Sequence, residues 1–159
     1  NNYIYKSEDE MNSGSKPEAT HYIYNESAAN KIKATKLQKR DSLIKKVSNL
    51  SLTRKRQIIL ILLNENTDNK DEDYLTVRFE DIFNKKELSL ELSMLLDQDN
   101  QEIALSADIK SAIQKNVLKR TKNGIFYFET NLGFNEEDVR KTLSSPDNQE
   151  VLLSIKSKI

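Results

Sequence analysis

Between Leu118 and Thr130 the chain reads LKRTKNGIFYFET, with Asn123-Gly124 set between two segments of strand-forming residues. An Asn-Gly pair so placed is the strongest short-range signal for a β-hairpin, because both central residues of the tight turn need positive φ. The stretch therefore commits this part of the chain to a local antiparallel ribbon. A turn at Asn123-Gly124 sets Lys122 opposite Ile125, Thr121 opposite Phe126, Arg120 opposite Tyr127 and Lys119 opposite Phe128. Alternation then turns Phe126 and Phe128 toward a core and places Arg120, Lys122 and Tyr127 on the outer face. A two-stranded ribbon is marginal alone, so helices must cover its apolar side.

Helical spacing and cap chemistry supply those helices. From Ser27 onward Ala29, Ile32, Leu37, Ile44 and Val47 follow one stripe among lysines, and Asp41-Ser42 marks a fresh start near residue 40. Ser51 or Thr53 caps a helix through RKRQIILILLNEN. NTDNKDED (66–73) is an acidic loop, and YLTVRF (74–79) alternates strictly, so Leu75, Val77 and Phe79 are expected inward on a strand. One or two short helices then pack Ile82, Phe83, Leu88, Leu92, Leu95 and Leu96. DQDNQE reads as loop. Ser106 is expected to cap the next helix, SADIKSAIQKNV, which buries Ile109, Ala112, Ile113 and Val117. After the ribbon, Asn135 caps a helix whose first turn, Glu136-Glu137-Asp138, suits the helix dipole. Pro146 opens a last helix carrying Val151, Leu152 and Ile155. The chain is thus expected to be mainly α with a small β component, an α+β fold.

Composition limits what such a fold does. Cysteine is absent, which removes disulfides, zinc-thiolate sites and thiol nucleophiles. The single histidine, His21, stands among tyrosines in NYIYKSE (2–8) and its echo HYIYNES (21–27). These two segments form a loose hairpin, add to another sheet's edge, or stay disordered; Gly14 and Pro17 lie between them. No glycine-rich phosphate loop or nucleophile elbow occurs, so no enzyme activity, cofactor, metal or small-molecule substrate is expected. DQDNQEIALSAD (97–108) has Glu102 where a calcium loop needs glycine. The longest apolar run is IILILL (58–63), far below the ~18 residues of a membrane span. Starting at Asn1 without a signal-peptide pattern, the chain reads as a piece of a longer intracellular protein, nuclear if eukaryotic.

Formal net charge is zero, yet the charges are segregated. Residues 31–57 hold ten bases and one acid, residues 64–103 twelve acids and four bases, and residues 108–122 five bases and one acid. Charge divided this way sets up a two-poled field able to draw in an anionic polymer. It is also what a solvated lysine-rich helix looks like.

The order of helix, acidic loop, short strand, helix, capped helix and Asn-Gly hairpin over residues 51–130, with SADIKSAIQKNVLKRTKNGIFYFE, resembles the winged helix-turn-helix superfamily. The resemblance implies a winged-helix-like core (51–133), preceded by a polar extension (1–26) and a basic helical segment (27–50) and followed by flanking helices (134–159). It makes residues 106–117 the recognition helix and 118–130 the wing. Residues 80–105 exceed what a compact winged helix needs. The expected nucleic-acid contacts are Lys110, Ser111, Gln114 and Lys115 on the helix and Arg120, Lys122 and Tyr127 on the ribbon. Lys, Gln and Ser reach base edges and phosphates, although Arg120 over Tyr127 is equally a cross-strand cation–π pair. The expected partner is duplex DNA, within a regulatory or chromosome-associated (chromatin) protein. The alternative is a non-catalytic protein–protein interaction scaffold, and a protein partner is expected in either case.

Overall fold

The computed structural model describes the backbone of residues 4–5, 8–14, 21–22 and 26–159, and the side chains of residues 10–14 and 26–159. The fold is mainly α with a small three-stranded antiparallel sheet, the expected α+β class. Residues 1–45 and 46–159 form two compact units.

In the first unit β1 (Ile4–Tyr5) and β2 (His21–Tyr22) pair in parallel, Ile4 with His21 and Tyr5 with Tyr22. The Tyr-Ile-Tyr echo therefore makes no hairpin. Parallel strands need a crossover, and α1 (Glu8–Asn12) lies within it. The turn expected at Pro17, like the side chain of His21, lies outside the described residues. The long α2 (Glu26–Ser48) begins in this unit and continues through Asp41-Ser42 without the expected break. A capping residue acts only where the backbone leaves the helix, and the Lys, Leu and Gln around it are good helix formers. Of the expected stripe, Ile32, Leu37 and Ile44 are exposed and Val47 is buried, while Leu43, outside that stripe, is buried too.

The second unit opens with α3 (Leu52–Leu63), whose cap is Ser51: its hydroxyl accepts from Arg54 N at 3.3 Å. Residues 74–79 are helix rather than strand. Asp71 caps α4 (Glu72–Asn84) by accepting from Tyr74 N at 2.8 Å. Leu75, Phe79 and Ile82 are buried at helical spacing while Val77 is exposed. The resemblance thus loses one of its strands. After α5 (Lys86–Leu96) the next helix is capped seven residues before Ser106, since Asp99 caps α6 (Asn100–Gln114) and accepts from the backbone N–H of Gln101 and Glu102. Ser106 sits inside that helix, its hydroxyl donating to Glu102 O at 2.8 Å.

The sheet follows in the order β3 (Lys119–Thr121), β4 (Gly124–Tyr127), β5 (Thr130–Gly133). The hairpin is present, but its register differs by two residues from the expected one: Lys119 faces Phe126, Arg120 faces Ile125 and Thr121 faces Gly124. The loop residues are Lys122 and Asn123, neither at positive φ, and Gly124 carries the positive φ at +130°. A shift of two leaves the same residues on each face, so what differs from expectation is the face that the core covers, that of Ile125 and Tyr127. Ile125 and Tyr127 are buried, Phe126 is half-buried and Phe128 is exposed, the reverse of expectation. Phe128, at φ +51°, belongs to the next turn, which leads into the unanticipated β5. Asn135 caps α7 (Glu136–Ser144), accepting from Asp138 N at 2.9 Å, and a 3-10 turn at Pro146–Asn148 leads into α8 (Gln149–Lys156).

Two apolar clusters hold this unit. One gathers Val47, Ile58, Ile59, Leu75, Phe79, Ile82, Leu92, Leu95 and Ile103. The other gathers Leu105, Ile109, Ala112, Leu118, Ile125, Tyr127, Leu132, Val139, Leu143 and Ile155. The helix α6 serves both, giving Ile103 to the first and Leu105, Ile109 and Ala112 to the second.

Candidate nucleic-acid interface

The junction between α6 and β3 is shaped by backbone hydrogen bonds. Val117 N donates to Ala112 O at 2.9 Å and Asn116 N to Ile113 O at 3.1 Å, with Asn116 left-handed at φ +57°. This crossed pair closes the helix as a Schellman motif. The chain then turns back, Leu118 is buried, and β3 starts on the outer edge of the sheet. Lys119, Arg120 and Thr121 are all exposed, as are Lys115 and Asn116 before them and Lys122 after. Lys115, Lys119 and Lys122 have no charged partner among the described residues.

The expected contact residues do not stay together. Lys110 and Arg120 do meet, but across a carboxylate: Glu136 holds Lys110 Nζ at 3.4 Å and also pairs with Arg120. Glu136 was read as a dipole partner in the first turn of α7, and its ion pairs are long-range contacts that local pattern does not reveal. Gln114 is a tether, its amide donating at 2.8 Å to the carbonyl of Asn64, the C-cap of α3. Ser111 and Lys115 face a cavity shared with α3 and the 66–68 loop. Lys122 stands free at the hairpin tip.

Tyr127 is not on the outer face. It is buried beneath α8, its hydroxyl 2.7 Å from Ser154 Oγ and accepting from Lys158 Nζ at 3.0 Å. The Lys158 hydrogen bond, with help from Ser154, holds the phenol below the ordinary tyrosine value, against the opposing effect of burial. Lys158 also lies over the Phe128 ring at 4.4 Å. No Arg120–Tyr127 pair forms, because Arg120 sits opposite Ile125.

The basic residues in the first turns of α3 are likewise engaged internally. Arg54 donates to Gln57 Oε1 at 3.1 Å and to Asn100 O at 3.0 Å, Lys55 pairs with Glu72, and Arg56 donates to Lys70 O at 2.9 Å. Lys119, absent from the expected set, joins the outer cations; in the expected register it shared the inward face with Phe126 and Phe128. Among the described residues no group of three or more His, Asp or Glu side chains is placed to hold a metal, and no helix is long and apolar enough to cross a membrane. Compared with known proteins, the chain matches no family model, no curated sequence and no solved structure.

Proposed function

We propose that this chain is a nucleic-acid-binding module, for duplex DNA, working within a regulatory or chromosome-associated protein. The observation that supports it is the group of exposed residues Lys115, Asn116 and Lys119 to Lys122, in which three lysines lack a charged partner among the described residues and the backbone edge of β3 is open. Phosphate contacts are made by Lys115, Lys119 and Lys122, joined by Arg120 when a phosphate competes with Glu136 for it. The module keeps the winged-helix idea of a helix beside a basic hairpin, with contact shifted from the helix face to its C-terminal end and the edge strand. The middle of α6 serves packing instead. The test is a salt series of duplex-DNA binding by fluorescence anisotropy. Each phosphate contact adds about 0.9 to the slope of log affinity against log salt. Lys119→Glu with Lys122→Glu should weaken binding at least ~10-fold and flatten the slope by about 2. Wild type that shows no salt-sensitive binding at ~50 mM salt sinks the proposal.

A second function, protein docking, is favoured by one feature. Leu90 and Met94 are each 63% exposed and lie four residues apart on one face of α5. If DNA binding fails, Leu90→Lys should release a protein partner from the chain.

A further inference from the structure

The cavity that Ser111 and Lys115 face has a volume of about 420 Å³ and is walled by α3, the 66–68 loop and α6. That is within the range of roughly 300–1,000 Å³ typical of small-molecule sites. Two of its lining residues, Thr67 and Arg56, carry the buried side-chain atoms that lack a hydrogen-bond partner among the described residues. Thr67 is 2% exposed and its Oγ1 has no hydrogen-bond partner; Arg56 Nε is buried and has none either. Buried polar groups are nearly always paired, so two orphans on residues of one cavity wall mark a place where something accepts from them. Arg56 cannot turn away freely, because its Nη2 is held by the carbonyl of Lys70 at 2.9 Å. Its Nε can only donate.

Ser111 of α6 and its C-cap Lys115 also line the cavity. Of its two acids, Asp108 is balanced by Lys156 at 3.2 Å, leaving Asp68 against two cations. An occupant with several acceptor oxygens and negative charge fits this donor set, and phosphate has both, bonding most strongly to charged donors. We propose that the cavity binds a small phosphate monoester, its phosphoryl group held by Arg56 and Thr67 and its polar body by Ser111 and Lys115.

The experiment is calorimetric titration of the 159-residue chain with AMP, adenosine and inorganic phosphate. AMP should bind, adenosine at least ~10-fold more weakly, and inorganic phosphate should compete. Comparing an oligonucleotide with and without a 5′-phosphate tells a strand end from a free nucleotide as the source of the group. Thr67→Val keeps the shape of the side chain and removes an atom that nothing satisfies, so the melting temperature should hold or rise while AMP affinity falls ~10-fold. Arg56→Lys should weaken AMP similarly. The Lys119→Glu, Lys122→Glu double variant should bind AMP as wild type does, so loss of DNA binding and loss of this site are separable. Absence of heat with both AMP and phosphate at millimolar concentration, adenosine binding as well as AMP, or full affinity in Thr67→Val would each overturn the proposal.

Discussion

Tyr127 illustrates how one buried hydroxyl couples the sheet to the end of the chain. Its hydrogen bonds from Lys158 and with Ser154 favour the tyrosinate, so the folded chain releases this proton below the unfolded value of about 10. A depressed pKa contributes stability that is complete above the unfolded value and is lost as pH falls through the folded one. In an alkaline absorbance titration the earliest tyrosine should vanish in Tyr127→Phe and move upward in Lys158→Met; an unchanged first phase in both would show that another tyrosine leads. Gly133 is a second residue with no substitute. At φ +156° a β-carbon there would come within 2.6 Å of Asp138 Cβ and 2.9 Å of Val139 N. Gly133→Ala should cost about 1–3 kcal/mol, read as a lowered urea midpoint.

At the level of elements, caps decided what periodicity left ambiguous. Leu75-Val77-Phe79 fits a strand, yet Leu75-Phe79-Ile82 fits a helix equally well, and Asp71 settles the matter by holding Tyr74 N. Asp71→Ala should destabilise the unit by about 1 kcal/mol, and a urea midpoint equal to wild type would count against the cap. Asp99 did the same for α6, which Ser106 seemed to begin. Existence and type of the longer elements were legible from residues such as Ser51 and Asn135, whose caps form where they were expected. The ribbon was legible as a ribbon, but its register was not. The turn is Lys122-Asn123 with Gly124 opening β4, a two-residue change of pairing that keeps each side chain on its expected face. Tyr127 is buried and Phe128 exposed because the apolar cluster covers the face of Ile125 and Tyr127. The Glu136 bridge to Lys110 and Arg120 was out of reach for a different cause: it joins three elements that only tertiary packing brings together.

For the whole molecule, both apolar clusters lie within residues 46–159. A fragment of those residues should therefore unfold cooperatively by itself, as followed by circular dichroism in urea; a gradual, baseline-free loss of helix would show that the clusters do not suffice. The charge division survives folding in part. Acids capture Lys55, Arg78, Lys110 and Arg120, while Lys115, Lys119 and Lys122 keep their charge uncompensated around one strand. That strand is also the open edge of the sheet, and an open edge invites pairing with another chain. Lysine on such an edge is a recognised safeguard, because like charges keep two copies apart. The lysines of β3 and its turn thus carry a colloidal duty independent of any ligand. Replacing Lys119 and Lys122 with threonine, a good strand former, should leave the fold intact and raise light scattering with time and concentration. Replacing both with glutamate should not, since two acidic edges repel as two basic ones do.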